Sequence, residues 1–226
     1  MIRPLITAFI LSLCMATGAI SAEFSADLLM QSVGGTHSGK LYFKNEDLNR
    51  IEMMGIISIS KRPMTYQLFP DTKKYVVTNI DEISKNNPAA DAANFKEWIE
   101  NNNLKKTGTD TLEGYKCDIF EGDVKLDDDQ PPVHMKIWHT PELGYPIRQE
   151  STLPQPVGKI SSHLKNIQLE SQAGSLFEIP AGYSQAKDVQ EAMGMPSFGD
   201  GGKGQAPSQE EMQKMMKDMM KKMGQE

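Results

Sequence analysis

From residue 24 to about residue 180 the apolar side chains alternate with polar ones in short runs, each broken by turn residues. Period-2 alternation places every second side chain on one face of a β-strand. Phe24, Ala26, Leu28 and Met30 form one such row, and Gly34-Gly35 turns the chain. Further strands are expected over 40–44 and 48–53, on either side of Asn45-Glu46-Asp47, then over 56–60. Lys61-Arg62-Pro63 breaks the run; Met64, Tyr66 and Leu68 share a face of the next strand, Pro70-Asp71 turns it, and 74–78 follows. Turns this short admit only antiparallel neighbours, because a parallel pair needs a crossover of about a dozen residues or more.

One helix interrupts the pattern. Asn87 is a cap, Pro88 suits a first helical position, and Asp91 sits near the positive end of the helix dipole. Ala92, Phe95, Trp98 and Ile99 recur at spacings of three and four, and Asn101-Asn102-Asn103 ends the segment. A helix over 88–100 therefore has one apolar face, which must lie on something apolar, most simply the sheet. Strands resume over 105–109, 115–121, 133–139, 147–153, 159–170 and 177–179. Between Leu164 and Ile167 the apolar phase changes, the mark of a bulge or bend. The fold class is mainly β (α+β): a large antiparallel sheet of about ten short strands under helical cover.

The two ends of the chain have a different character. Arg3, the apolar stretch from Leu5 to Met15 and the small residues that follow read as an export signal over 1–22. Cleavage after Ala22 leaves Glu23 first; cleavage after Ala19 is the alternative. Export implies a periplasmic protein. The body is expected over 23–184 and a flexible linker over 185–207, rich in glycine at Gly199, Gly201, Gly202 and Gly204. Ser208 and Glu211 then form a capping box for a second helix over 208–224. Met212, Met215, Met216, Met219, Met220 and Met223 make its apolar stripe. Three readings of that stripe stand open: docking on the protein's own sheet, an adaptable contact with a protein partner or membrane surface, and Cu(I) binding through thioethers.

Charge and motifs exclude more than they nominate. With 24 Lys and Arg against 30 Asp and Glu, the net charge is −6, so the basic footprint of a nucleic-acid binder is missing. Without the signal, Cys117 is the one cysteine left; it alternates with Tyr115 and Ile119 and reads as a buried strand residue, not a nucleophile. His134 and His139, five apart, point to opposite faces of a strand and make no metal clip. Asp127 to Asp129 read as a solvated turn, and Gly199 to Gly204 have Gly204 where a phosphate loop needs Ser or Thr. No arrangement nominates an acid–base pair, a cofactor or a resident metal.

The order of several segments carries a resemblance. These are Phe24-Ser25-Ala26-Asp27, Ser38-Gly39-Lys40-Leu41-Tyr42, Phe69-Pro70-Asp71-Thr72-Lys73-Lys74-Tyr75, Leu112-Glu113-Gly114-Tyr115-Lys116-Cys117, Leu143-Gly144-Tyr145-Pro146-Ile147 and Leu176-Phe177-Glu178-Ile179-Pro180. Over residues 24–183 the chain resembles exported bacterial proteins of the LolA-like (outer-membrane lipoprotein carrier-like) superfamily, in a branch of unassigned function. The resemblance implies a strongly curved antiparallel sheet, a half-barrel, whose concave apolar face is covered by helices. It also implies a non-enzymatic protein that shelters a lipid, an acyl chain or a lipoprotein segment. Phe95, Trp98 and Ile99 are then the expected lining of that interface. The alternative is a β-domain that presents the Met-rich helix to an envelope protein or membrane surface.

Overall fold

The computed structural model describes residues 22–80, 95–125, 131–153 and 158–195. Six strands open the chain: β1 (Phe24–Ser32), β2 (Gly35–Asn45), β3 (Leu48–Met53), β4 (Ile56–Lys61), β5 (Met64–Phe69) and β6 (Lys74–Asn79). After helix α1 (Phe95–Asn101) come β7 (Lys105–Leu112), β8 (Tyr115–Val124), β9 (Val133–Thr140), β10 (Tyr145–Thr152) and β11 (Lys159–Leu169). A 3₁₀ turn (Gly174–Phe177), β12 (Ser184–Gln185) and a one-turn helix α2 (Val189–Ala192) complete the described chain.

All twelve strands lie in one sheet, in the order β12-β6-β5-β4-β3-β2-β1-β11-β10-β9-β8-β7. Every pairing is antiparallel except the short contact of β12 with β6. The long-range closure is β1 against β11, which joins the two meanders back to back. The sheet does not close on itself: β12 and β7 are its edges. Flat, β5 and β10 would stand six strand spacings apart, about 29 Å. Yet Thr65 of β5 and Gln149 of β10 line the same small cavity, so the sheet curls into a half-barrel.

Register shows which side chains face inward. Phe24, Ala26 and Leu28 of β1 stand opposite Phe43, Leu41 and Gly39 of β2, and Leu28 stands opposite Leu164 of β11. Apart from Gly39, these residues belong with Ile147 to the central core, with Tyr145 edge-on to Phe24 and Phe43 at 6.0 and 5.1 Å. One arm of the same concave face carries α1: Trp98, Ile99 and Leu104 pack on Val124, Val133, Met135 and Ile137. The other arm carries α2: Ala186 and Ala192 pack on Phe69 and Val76. On the convex face, Ile59 and Leu68 are covered by Phe177 of the 3₁₀ turn.

Several expectations are met in detail. The bulge lies at Asn166, where Ser25 pairs Gln168 but Asp27 pairs Lys165. Asn166 adopts φ 49° and donates from Nδ2 to Asp27 Oδ2 at 2.6 Å. The asparagine end of α1 also holds: Asn102 Nδ2 donates to the Trp98 carbonyl at 2.9 Å, and Asn103 takes φ 55°, the left-handed geometry that stops helices. Of the helix expected over 88–100, residues 88–94 lie outside the described residues.

Others are corrected. Residues 177–179 are not a strand; Phe177 closes a 3₁₀ turn that lies flat on the sheet, so its apolar neighbours serve one-sided packing and not ladder pairing. The linker does not begin at residue 185. Gln185 already pairs Tyr75, the Ala186 amide donates to the Tyr75 carbonyl at 2.8 Å, and α2 follows. Small residues made this stretch look loose, but Ala186 and Ala192 are small because they seat against Phe69 and Val76. All but the last residue of the expected signal segment, the glycine-rich stretch 199–204 and the methionine segment 208–224 lie outside the described residues.

Candidate functional site

Between the two arms, a cavity of about 230 Å³ opens on the concave face. Its apolar wall comes from the central strands and the neighbouring β10: Leu28, Phe43, Tyr145, Ile147 and Leu164, with Phe95 of α1 at one side. Its polar lining comes from the β3–β5 arm, with Asn49, Ser60, Arg62 and Thr65, and from Gln149, Ser162 and His163 of β10 and β11, with Glu46 and Asp47 of the β2–β3 turn at the rim. Ile80 and Phe95, the described residues that flank segment 81–94, both line it.

The polar wall follows from a change of phase in the sheet. In β1 and β2 the large apolar residues point to the concave side. Ile51 of β3 stands opposite Ser58 of β4, and Asn49 opposite Ser60, so past Ile56 the concave positions of β4 are serines. Ile57 and Ile59 then face the convex side, with Leu68 and Tyr66 of β5 beside them. Where the 3₁₀ turn covers the convex face, the concave face is left with hydroxyls. Thr65 Oγ1 is buried and has no hydrogen-bond partner, an open donor at the cavity wall.

Of the three expected lining residues, the cavity takes Phe95. Trp98 and Ile99 instead fill the helix–sheet interface, at 6% and 8% exposure. A three-residue step explains the split: Trp98 and Ile99 point down onto β8 and β9, whereas Phe95 sits a turn earlier, over the edge of the packed cluster. The Phe95 ring stacks on His139 at 4.0 Å between centroids and 10° between planes. Burial holds the His139 imidazole down at about 4 against its ordinary 6.5, although Asp118 and a backbone hydrogen bond with Gly144 favour the cation.

The two β9 histidines do face opposite sides. His134 is exposed, its Nδ1 2.8 Å from Asp123 Oδ1 and its Nε2 3.0 Å from Glu121 Oε1, and these carboxylates raise its pKa. Cys117 is fully buried, and desolvation pushes its thiol up. At the cavity rim, burial raises the Glu46 carboxyl and the neighbouring Asp47 charge adds to it. Among the described residues no group of three or more His, Cys, Asp or Glu side chains is placed to hold a metal ion. Sequence reasoning missed Ser60, Thr65 and Asn49; their signal was the alternation of β3–β5, legible only once register showed which phase faces inward. Met212, Met215, Met216, Met219, Met220 and Met223 lie outside the described residues.

No curated protein matches the chain. Solved structures with a similar sheet include an uncharacterized conserved protein from Thermus thermophilus, at 11% identity and TM-score 0.49, covering 74% of this chain and 91% of that one. Another is the lipoprotein LppX of Mycobacterium tuberculosis, at 13% identity and TM-score 0.41, covering 68% and 91%. A third is a LolA superfamily protein from Nitrosomonas europaea, at 9% identity and TM-score 0.39, covering 70% and 91%. The family model described as a domain of unknown function, DUF4412, matches residues 25–147, more than half of the chain, and the protein belongs to that family.

Proposed function

We propose that this chain is an exported, non-enzymatic binding protein that shelters a single acyl chain in its concave cavity. The observation that carries the reading is the cavity itself: among the described residues, a half-barrel covered at both arms is left unfilled at its centre, against an apolar wall of Leu28, Phe43, Ile147 and Leu164. Burying apolar ligand surface there is worth roughly 25 cal/mol per Å². Size narrows the ligand. Sites for whole drug-sized molecules run to about 300–1,000 Å³, so 230 Å³ suits one chain of a lipid or lipoprotein and not several. The polar wall adds that the ligand is an amphiphile, since Thr65 Oγ1 is free to donate to an ester or carboxylate oxygen. Export is supported by the sequence of residues 1–22.

Native mass spectrometry of protein purified from the periplasm tests both halves of the reading. The expected result is a chain that begins near Glu23 and carries an adduct of fatty-acid or lipid mass. Uptake of a fluorescent fatty acid should weaken about tenfold or more in Ser60→Phe, which fills the cavity from its polar wall; a tenfold change corresponds to about 1.4 kcal/mol. A clean apo mass together with no uptake by the unaltered protein would refute acyl-chain binding.

A further inference from the structure

We infer that the cavity selects, among single-chain lipids, an uncharged acyl ester whose head carries free hydroxyls, and discriminates against a free fatty acid. The inference rests on the acyl-chain reading and names the head group that goes with the chain.

Register lays the neutral polar lining out in two rows. Asn49, Ser60 and Thr65 are Cα partners across β3, β4 and β5. Gln149 and Ser162 are partners across β10 and β11, beside the apolar wall of Ile147 and Leu164. Among the described residues none of these five side chains has a hydrogen-bond partner, and Thr65 Oγ1 is buried as well. Polar groups so enclosed are normally paired, so the two rows are complementary to a head that brings donors and acceptors of its own.

The chemistry of the rows narrows that head. Each amide offers two donors and a carbonyl acceptor, and each hydroxyl one donor and two lone pairs. A carboxylate only accepts, which leaves the Asn49 and Gln149 side-chain carbonyls unanswered. A head with hydroxyls donates to those carbonyls and accepts from Ser60, Thr65 and Ser162.

Charge points the same way. The Arg62 amide donates to the Asp47 carbonyl at 3.0 Å, which ties the β4–β5 turn to the β2–β3 turn. One cation, Arg62, thus stands at the rim with two carboxyls, Glu46 and Asp47. His163 adds no second cation, because burial and the neighbouring Lys165 charge hold its pKa down. Among the described lining residues the balance is negative. Burial and the Asp47 charge already push the Glu46 carboxyl up, and a carboxylate brought to the same rim meets like charge in a partly desolvated place.

Three fluorescent ligands that share one chain separate these effects: parinaric acid, its methyl ester and its glycerol monoester, titrated into the full chain at about pH 8, where the acid is ionised. The expected order of affinity is glycerol ester, methyl ester, acid. The first step is about tenfold, for two added hydrogen bonds. The second is about threefold or more at low ionic strength. Asn49→Leu with Gln149→Leu should bring the glycerol ester down to the methyl ester. Glu46→Gln with Asp47→Asn, or added salt, should narrow the gap between methyl ester and acid. Each comparison is a ratio on one protein, so a partial loss of folding does not shift it. Acid bound as tightly as the glycerol ester by the native chain would overturn the inference. So would a glycerol-ester advantage that survives the double Leu variant, or a gap to the acid that neither charge removal nor salt narrows. Binding of none of the three refutes the acyl-chain reading itself, whereas equal binding of all three leaves that reading standing and removes this one.

Discussion

Acidification should strip stability from the cavity wall through a single side chain, His139. The ring is stacked on Phe95, and desolvation holds its pKa at about 4, below the ordinary 6.5. The native pKa is the lower one, so between pH 6.5 and 4 the unfolded chain binds the extra proton and stability falls as pH drops. Linkage for one such group gives a loss of about 1.4 kcal/mol at pH 5.5 and about 3 kcal/mol at pH 4. The expectation is a loss of about 3 kcal/mol at pH 4 that belongs to His139 alone. Urea melts at pH 7, 5.5 and 4 on the native sequence and on His139→Gln measure it, because carboxylates and the other histidines titrate in both. The variant should lack the His139 share of the acid loss. Two parallel profiles would refute the claim that burial, and not the nearby Asp118 charge, governs this ring.

Three further outcomes follow from packing. Gly39→Ala would bring a Cβ to 2.3 Å from the Glu52 carbonyl oxygen on the neighbouring strand and 3.1 Å from the Met53 Cβ, so a denaturant melt should show a loss at or above the roughly 1–3 kcal/mol of ordinary overpacking. Trp98→Ala empties the centre of the α1 interface and should cost about 3–5 kcal/mol in the same assay; a loss under 1 kcal/mol would show that α1 is not seated as described. Cys117, fully buried and with its pKa raised by desolvation, should react with a thiol reagent no faster than the protein unfolds; fast labelling in native buffer would contradict its burial.

Strands were readable because alternation and turn chemistry are local, and even the bulge at Asn166 announced itself as a phase change between Leu164 and Ile167. What local pattern does not carry is which phase faces the hollow. Ile57, Ile59, Tyr66 and Leu68 look as core-forming as Phe24 and Leu41, yet register places them on opposite sides of one sheet. The segment from residue 185 departs from the expected linker for a related reason. Ser184 and Gln185 pair through backbone alone, and alanines that fit a tight seat look, in sequence, like residues of a linker. Phe95 was legible as part of an apolar helix face, but only the packing of Trp98 and Ile99 onto β8 and β9 separated the wall residue from the anchors.

The same inversion of phase explains why a cavity exists here at all. A half-barrel has two ways to hide its apolar surface: fill the concave side, or turn the apolar face outward under a cover. This chain does both in different arms. Around β8–β9 it fills, with Trp98, Ile99 and Leu104 lowered onto Val124, Val133, Met135 and Ile137. Around β4–β5 it turns outward, and the segment ending in Phe177 supplies the cover on the convex side. At the cavity end of that arm the concave positions carry Ser58, Ser60 and Thr65, while Ile56 and Phe69, farther along the same face, pack under α2. The central strands, still apolar on the inside, face hydroxyls across the gap. Side chains this small leave a gap among the described residues, and that gap is the space the proposed amphiphile would occupy.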